Sequence, residues 1–318
     1  MRKVMFNHRP KILILGLILA ALLGLWRVSC KPDTQLEWDN EPYISLYLHE
    51  KDKIVRLKFE EYLMGAVSAE MPASFAMEAL KAQAVCARTY AVKKLIEQRS
   101  YPQQADLSDD IKVCQAYISP ADFRRANPQH YQDLSARIKQ AVDETRGEIM
   151  LCGGEPIDAL YHSTCGGQTE DAGEVWLQDL PYLNSVKCKY CAGSKHYSTV
   201  QVFSVQQIEA DVGVDYDENL EIKVLKTTAS GRIKELSINN LILSGEEFRR
   251  KLNLPSNWLQ FKKDQEKIII KSRGYGHGVG MCQYGANGMA KEKADYHEIL
   301  RHFYGDIQFN KMSYDVLE

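Results

Sequence analysis

The first residue in this sequence with an evident capacity for chemistry is Glu70, at the end of an apolar helical stretch. It stands in Ala66-Val67-Ser68-Ala69-Glu70-Met71-Pro72. A helix is electrically negative at its C-terminus, which disfavours a carboxylate there. Apolar neighbours add a desolvation cost, so both effects favour the protonated form. A carboxyl group that keeps its proton near neutral pH suits general acid catalysis. The competing reading is a solvated glutamate beside a turn, and these residues alone favour that one. Lys81 and Arg88 lie two turns apart on one face of the next helix. Such a pair suits a carboxylate or other oxyanion. Its ordinary fate is a solvated helix face.

Two other clusters have chemical types at suggestive spacing. His162-x-x-Cys165 and Cys188-x-x-Cys191 fit a structural zinc set. The alternative is a disulfide among Cys165, Cys188 and Cys191, with His162 left to an active site. Neither version makes a metal catalytic. The segment Gly274 to Gly285 has too many glycines for a helix, and its alternating glycines permit close backbone approach to a ligand. A phosphate loop would be followed by Lys-Ser or Lys-Thr, and none follows. His277, Gln283 and Tyr284 are polar groups on this segment, suited to a cleft wall.

These residues need elements to hold them. Ile44, Leu46 and Leu48 alternate with polar residues, and Ile54 to Leu57 returns, which predicts a strand pair. A helix is expected from about Lys58 to Glu70, stopped by Pro72. A second runs from about Met77 to Lys94, with Met77, Leu80, Ala84 and Ala87 on its apolar face and Cys86 as a small apolar filler. A third carries Leu134, Ile138, Ala141 and Val142, and Gly147 closes it. Ile149 to Leu151 and Ile157 to Tyr161 flank Gly153-Gly154 and read as a hairpin that ends at Tyr161 and His162. Ser204 with Gln207, and Ser244 with Glu247, form capping-box pairs. Strands are expected at Leu220 to Leu225, Ile233 to Ile238 and Ile268 to Ile270, and a last helix at Asp295 to Tyr304. Without a regular βαβ rhythm, the fold class is α+β, with mixed helices and short strands.

The chain has 318 residues, 45% hydrophobic, enough for one large domain or two packed subdomains. Forty basic residues balance 42 acidic ones, so charge gives no reason to propose nucleic acid as partner. The N-terminus differs from the rest. Residues 1–11 carry Arg2, Lys3, His8, Arg9 and Lys11, ahead of an uncharged apolar run from Ile12 to Trp26. That run is short for a ~30 Å hydrocarbon layer, and extending it to Val28 requires Arg27 to snorkel. No small-x-small cleavage pattern follows. Residues 12–28 are therefore expected to be an uncleaved single-pass anchor. The N-terminus is expected in the cytoplasm, a tether over 29–42, and the region 43–318 outside. Of the eight cysteines, Cys30 sits behind Arg27, where a lipoprotein signal wants an aliphatic residue.

Longer patterns carry a resemblance. Glu60-Glu61-Tyr62-Leu63-Met64-Gly65 is followed by Ala69-Glu70-Met71-Pro72, then by Glu78 to Val85 and Ala87-Arg88-Thr89-Tyr90-Ala91. Tyr161-His162-Ser163-Thr164-Cys165-Gly166-Gly167-Gln168-Thr169-Glu170, Pro181-Tyr182-Leu183 and Gly274 to Ala286 come later in the same order. Together these resemble the SpoIID/LytB family, from about Glu41 to the C-terminus. The resemblance implies a lytic transglycosylase of peptidoglycan, with Glu70 at the position of the family's catalytic glutamate. It implies cleavage between N-acetylmuramic acid and N-acetylglucosamine, a 1,6-anhydro product and a glycan-binding cleft. No catalytic cofactor is implied. Glycan strands stripped of stem peptides, a cell-wall amidase and membrane proteins of the engulfment machinery are the implied partners. The implied place is the space between mother cell and forespore. It also favours Lys81, Arg88, Tyr161, His162, His277, Gln283 and Tyr284 as glycan-binding residues. Some relatives carry a Cys/His cluster before the segment matching Cys114-Gln115-Ala116-Tyr117, and residues 106–113 here lack most of those ligands. Two rivals share the motifs: a non-catalytic amidase enhancer and a scaffold of an engulfment complex.

Overall fold

The computed structural model describes residues 41–98, 100–176, 180–215 and 220–314. The expected anchor and most of the expected tether lie outside the described residues. Among the described residues no helix is long and apolar enough to cross a membrane.

The fold is α+β, built from small sheets around a helical centre. Strands β1 (Tyr43–Leu48) and β2 (Lys53–Lys58) pair antiparallel with Tyr43 opposite Lys58. They lead directly into helix α1 (Phe59–Glu70). Met71 leaves the helix in extended conformation, as the residue before Pro72 must. Helix α2 (Met77–Ile96) follows. Its alternating apolar pattern suggested one buried face, but Ala79, Ala82, Ala84, Cys86, Ala87 and Ala91 are all fully buried. Small side chains let other elements approach from every side, so α2 is the axis of the main core. Cys86 is a packed thiol, its pKa pushed up to about 12 by burial.

Around that axis come β3 (Leu107–Ser108), which adds parallel to β1, then α3 (Pro120–Ala126) and α4 (Tyr131–Glu144). Strands β4 (Glu148–Cys152) and β5 (Glu155–Pro156) form the expected hairpin. Gly153 and Gly154 both have positive φ, 62° and 89°, as a tight two-residue hairpin turn requires. The hairpin does not extend to Tyr161 and His162. Those residues form a separate strand, β6 (Tyr161–His162), and a short helix α5 (Ala172–Trp176) follows.

A second, smaller apolar cluster sits between residues 205 and 270, centred on Ile208, Leu236, Phe248 and Ile270. It is enclosed by β7 (Ser198–Ser204), α6 (Val205–Val212), β8 (Ile222–Thr227), β9 (Ile233–Ile238), β10 (Leu241–Ser244), α7 (Gly245–Lys251), β11 (Leu259–Asp264) and β12 (Lys267–Arg273). Both expected capping boxes are present, at Ser204 with Gln207 and Ser244 with Glu247. The chain then returns to the main core. Strand β13 (Met281–Cys282) pairs parallel with β6, followed by α8 (Gln283–Lys291), α9 (Tyr296–Tyr304) and β14 (Gln308–Lys311) on the free side of β4.

Candidate functional site

The C-terminal end of α1 opens into a cleft of about 580 Å³. Glu70 lies in its floor. Residues 111–116 form one side, and residues 159–163 with Tyr275, Gly276, His277 and Gln283 form the other. Trp176 and Tyr275 present nearly half of their surface at the mouth, and Ile111 and Val113 are exposed opposite them. Among the described residues that line the cleft, Glu70 is the only carboxylate.

Burial raises the pKa of Glu70 above the ordinary glutamate value, while the Ala116 N–H and the Tyr161 hydroxyl pull it back. The Ala116 N–H donates to Glu70 Oε1 at 2.7 Å. The single Tyr161 hydroxyl proton is shared with Gln115 Oε1 at 3.0 Å, and Gln115 Nε2 donates to the Tyr62 hydroxyl at 2.7 Å. Gln283 Nε2 donates to the Glu70 carbonyl at 2.9 Å and to Gln83 Oε1 at 3.1 Å. Gln283 therefore fixes the helix end that carries the carboxyl group.

The two histidines have different duties. The Val279 N–H donates to His277 Nδ1 at 3.1 Å, so His277 Nε2–H donates to the Tyr161 carbonyl at 3.0 Å. Both ring nitrogens are occupied, and burial pushes its pKa down to about 4. His277 is thus a neutral brace between the glycine-rich segment and β6. His162 Nδ1–H donates to the Val279 carbonyl at 3.0 Å. Its Nε2 has no protein partner, and burial holds the ring neutral, well below the usual histidine range. That leaves a buried lone pair behind the cleft wall, out of reach of anything in the cleft.

The alternating glycines serve mainly to seat the segment on the rest of the chain, and of the four only Gly276 lines the cleft. Gly274, Gly276, Gly278 and Gly280 all have positive φ and lie against the chain itself. A Cβ on Gly280 would sit 2.0 Å from the Leu160 carbonyl, and one on Gly278 would sit 2.7 Å from the buried Arg232 guanidinium. The glycines lock the segment onto residues 160–165. Tyr275 and His277, at the intervening positions, therefore reach the cleft.

The sequence comparisons follow the same geometry. A family profile described as "Stage II sporulation protein" matches residues 47–151, which include Glu70 and Gln115. The chain is 34% identical over 270 residues to stage II sporulation protein D of Bacillus subtilis (strain 168), covering 84% of this chain and 79% of that one. The chain belongs to the SpoIID family. Its likeness to stage II sporulation protein D of Bacillus amyloliquefaciens is 33% over the same length. A Bacillus subtilis protein named amidase enhancer is 25% identical over 76% of this chain, which spans only 39% of that larger protein. Family membership ties this SpoIID protein to sporulation.

Three expected glycan-binding residues of this SpoIID protein lie away from the cleft. Arg88 is fully buried. Its Nε and Nη2 donate to the two Glu60 carboxylate oxygens at 2.9 and 2.8 Å, and its other N–H groups reach the Glu148 and Val142 carbonyls. Lys81 pairs with Glu78 at 2.8 Å and Glu144 at 2.7 Å. The shared helix face is real, but it packs on α4 and not on the cleft. Tyr284 also turns away, its ring edge-on to Phe75 with centroids 5.0 Å apart. The expected cysteine cluster forms without His162, because β6 pairs with β13 and brings Cys282 to Cys165, Cys188 and Cys191. Sequence reasoning did not single out Lys112, Gln115, Trp176 or Tyr275. Tyr275 lay inside the glycine-rich pattern, and its place between two glycines was the available signal. For Trp176 only the fold supplies one.

Proposed function

We propose that the protein is a peptidoglycan lytic transglycosylase that cleaves glycan strands between N-acetylmuramic acid and N-acetylglucosamine. The observation that carries this reading is a cleft with one carboxyl group among its described lining residues, whose burial favours the protonated form. Hydrolytic glycosidases place two carboxyl groups across the scissile bond, because water or a covalent intermediate needs a second one. A single group suffices when the nucleophile is already part of the substrate.

Glu70 first donates its proton to the glycosidic oxygen. The bond to the muramoyl anomeric carbon breaks, and N-acetylglucosamine leaves with a free hydroxyl. The Glu70 carboxylate then takes the proton of the muramoyl C6 hydroxyl as that oxygen closes on the anomeric carbon. The product is a 1,6-anhydro end, no water is consumed, and Glu70 returns protonated. The Ala116 N–H and Tyr161 hydroxyl steady the carboxylate between the two half-steps. Trp176 and Tyr275 offer flat apolar surfaces to sugar rings. Lys112, exposed on the opposite side, is placed to meet the lactyl carboxylate that a peptide-free muramoyl residue exposes. Lys112 thus takes the role that the sequence suggested for Lys81 and Arg88.

In this reading the N-terminal apolar run anchors the protein, and the cleft works outside the cytoplasm during engulfment, on strands already cleared of peptides by an amidase. Catalysis itself needs no cofactor. The likeness to an amidase enhancer supports a second reading, in which the protein stimulates such an amidase without cutting. One experiment separates them. Wild type and Glu70→Gln are incubated with peptide-free and peptide-bearing glycan, and products are read by mass spectrometry. Wild type should yield anhydro-muramoyl ends, lighter than hydrolysed ends by one water. Glu70→Gln should fold, bind and cut ~10²–10⁴-fold more slowly, the usual worth of a general acid. Hydrolysed ends from wild type would refute the mechanism, and normal cutting by the variant would refute the residue. A wild type that cuts nothing but accelerates an added amidase would establish the second reading.

A further inference from the structure

Behind the cleft wall, four sulfurs from three separate chain segments converge. Cys165, Cys188, Cys191 and Cys282 are all fully buried, and their Sγ atoms lie within 4.8 Å of one another. The Cys165 and Cys191 sulfurs are 3.4 Å apart. A tetrahedral zinc with bonds of ~2.3 Å separates its sulfurs by roughly 3.8 Å, within the range this cluster spans. Four thiolates with no nitrogen or oxygen ligand make a closed set of the structural kind, with no open position for a substrate.

The surroundings are built for negative sulfur. The backbone N–H groups of Cys165 and Gly285 both donate to Cys282 Sγ at 3.2 Å. Cys282 is also the N-cap of α8, where the helix is electrically positive and favours an anion. The buried Arg232 guanidinium donates to the Cys165 carbonyl at 2.9 Å, placing a cation beside the cluster. Gly285 leaves room for it, since a Cβ there would lie 2.7 Å from Cys188 Sγ.

We propose that Cys165, Cys188, Cys191 and Cys282 together hold one zinc ion as a structural centre. Binding releases the four thiol protons and leaves a complex of net charge −2, which the N–H donors and Arg232 offset. The ion ties the 188–191 loop to β6 and β13. Cys165 follows His162 closely and Cys282 immediately precedes Gln283. The zinc therefore holds in place the wall that faces Glu70, while standing apart from the chemistry. This inference is independent of the transglycosylase reading.

The test uses the full-length chain, purified in detergent without chelators or a metal-affinity step. Elemental analysis should find one zinc per chain. After denaturation in chelator, every cluster cysteine should titrate as a free thiol. Reconstitution with Co²⁺ should give the visible spectrum of a tetrahedral thiolate site. The double variant Cys188→Ser/Cys191→Ser should lose the zinc and melt at lower temperature, whereas Cys152→Ser, outside the cluster, should keep it. Wild-type protein without stoichiometric metal, with iron in place of zinc, or with a disulfide between cluster cysteines in peptide maps would overturn the proposal. The wild-type measurements decide the matter even if the double variant does not fold.

Discussion

Arg88 is the sharpest place to test the difference between the sequence pattern and the fold. Arg88→Met keeps the length of the side chain and removes the guanidinium. The Glu60 carboxylate, 3% exposed, then keeps the Tyr314 hydroxyl, a long contact of 3.4 Å from the Gly147 N–H and the more distant charge of Arg146, but loses its two-pronged partner. The carbonyls of Glu148 and Val142 lose donors at 3.2 Å each. Removing one partner of a buried ion pair costs about 3–5 kcal/mol, mostly because the other charge stays buried. For a domain of this size that corresponds to a fall in melting temperature on the order of 10 °C. The pH dependence has a definite sign. Burial alone would raise the pKa of Glu60, but the charge and hydrogen bonds of Arg88, with smaller help from the Tyr314 hydroxyl and the Arg146 charge, outweigh it and the pKa is lowered. A lowered carboxyl pKa contributes stability above the unfolded value of about 4.3 and loses it as pH falls through the folded value. The gap between wild type and Arg88→Met should therefore be widest near neutral pH and narrow on acidification. Arg88→Lys should fall between them, keeping charge but not the two-pronged geometry. Differential scanning calorimetry across pH, with a glycan pull-down at a temperature where all variants are folded, measures both halves. A variant that melts like wild type yet loses glycan would mean that Arg88 reaches substrate, and the argument from burial would be wrong.

Three further outcomes are expected. The cleavage rate should fall as pH rises through the raised pKa of Glu70, because the first half-step needs its proton; a rate that instead climbs across that range would point to a group acting first as base. Lys112→Ala should weaken binding of peptide-free glycan by roughly two- to fivefold, the worth of one exposed ion pair, and the loss should fade at high salt; equal loss on peptide-bearing strands would remove the lactyl carboxylate as its partner. Gly280→Ala should destabilise by on the order of 3 kcal/mol, from left-handed backbone strain and a Cβ driven into a carbonyl; thermal unfolding at the wild-type temperature would contradict the role given to the glycine-rich segment.

Local chemistry was legible where the cause was local. Pro72 ends α1 because proline restricts its predecessor, Gly153-Gly154 turns the β4–β5 hairpin, and Ser204 and Ser244 start helices by capping them. The apolar stretch before Glu70 marked a helix end, but those residues alone favoured a solvated carboxylate, and only the fold supplies the burial that raises its pKa. The periodicity of α2 was also legible, but not what surrounds it. A helix face defines which residues point together, and only the neighbouring helix decides whether that face meets water, a cleft or another charge. Lys81 and Arg88 share a face, as their spacing requires, and α4 covers it with Glu144 and the Val142 carbonyl. The same limit explains the cysteines. Cys188 and Cys191 are close in sequence, so their partnership could be read directly. Cys282 joins them only because β13 pairs with β6, a contact across more than a hundred residues that no local pattern encodes. Spacing along the chain records what the backbone can do within a turn or two, and the assembly of the cleft from distant segments is decided by which surfaces are buried together.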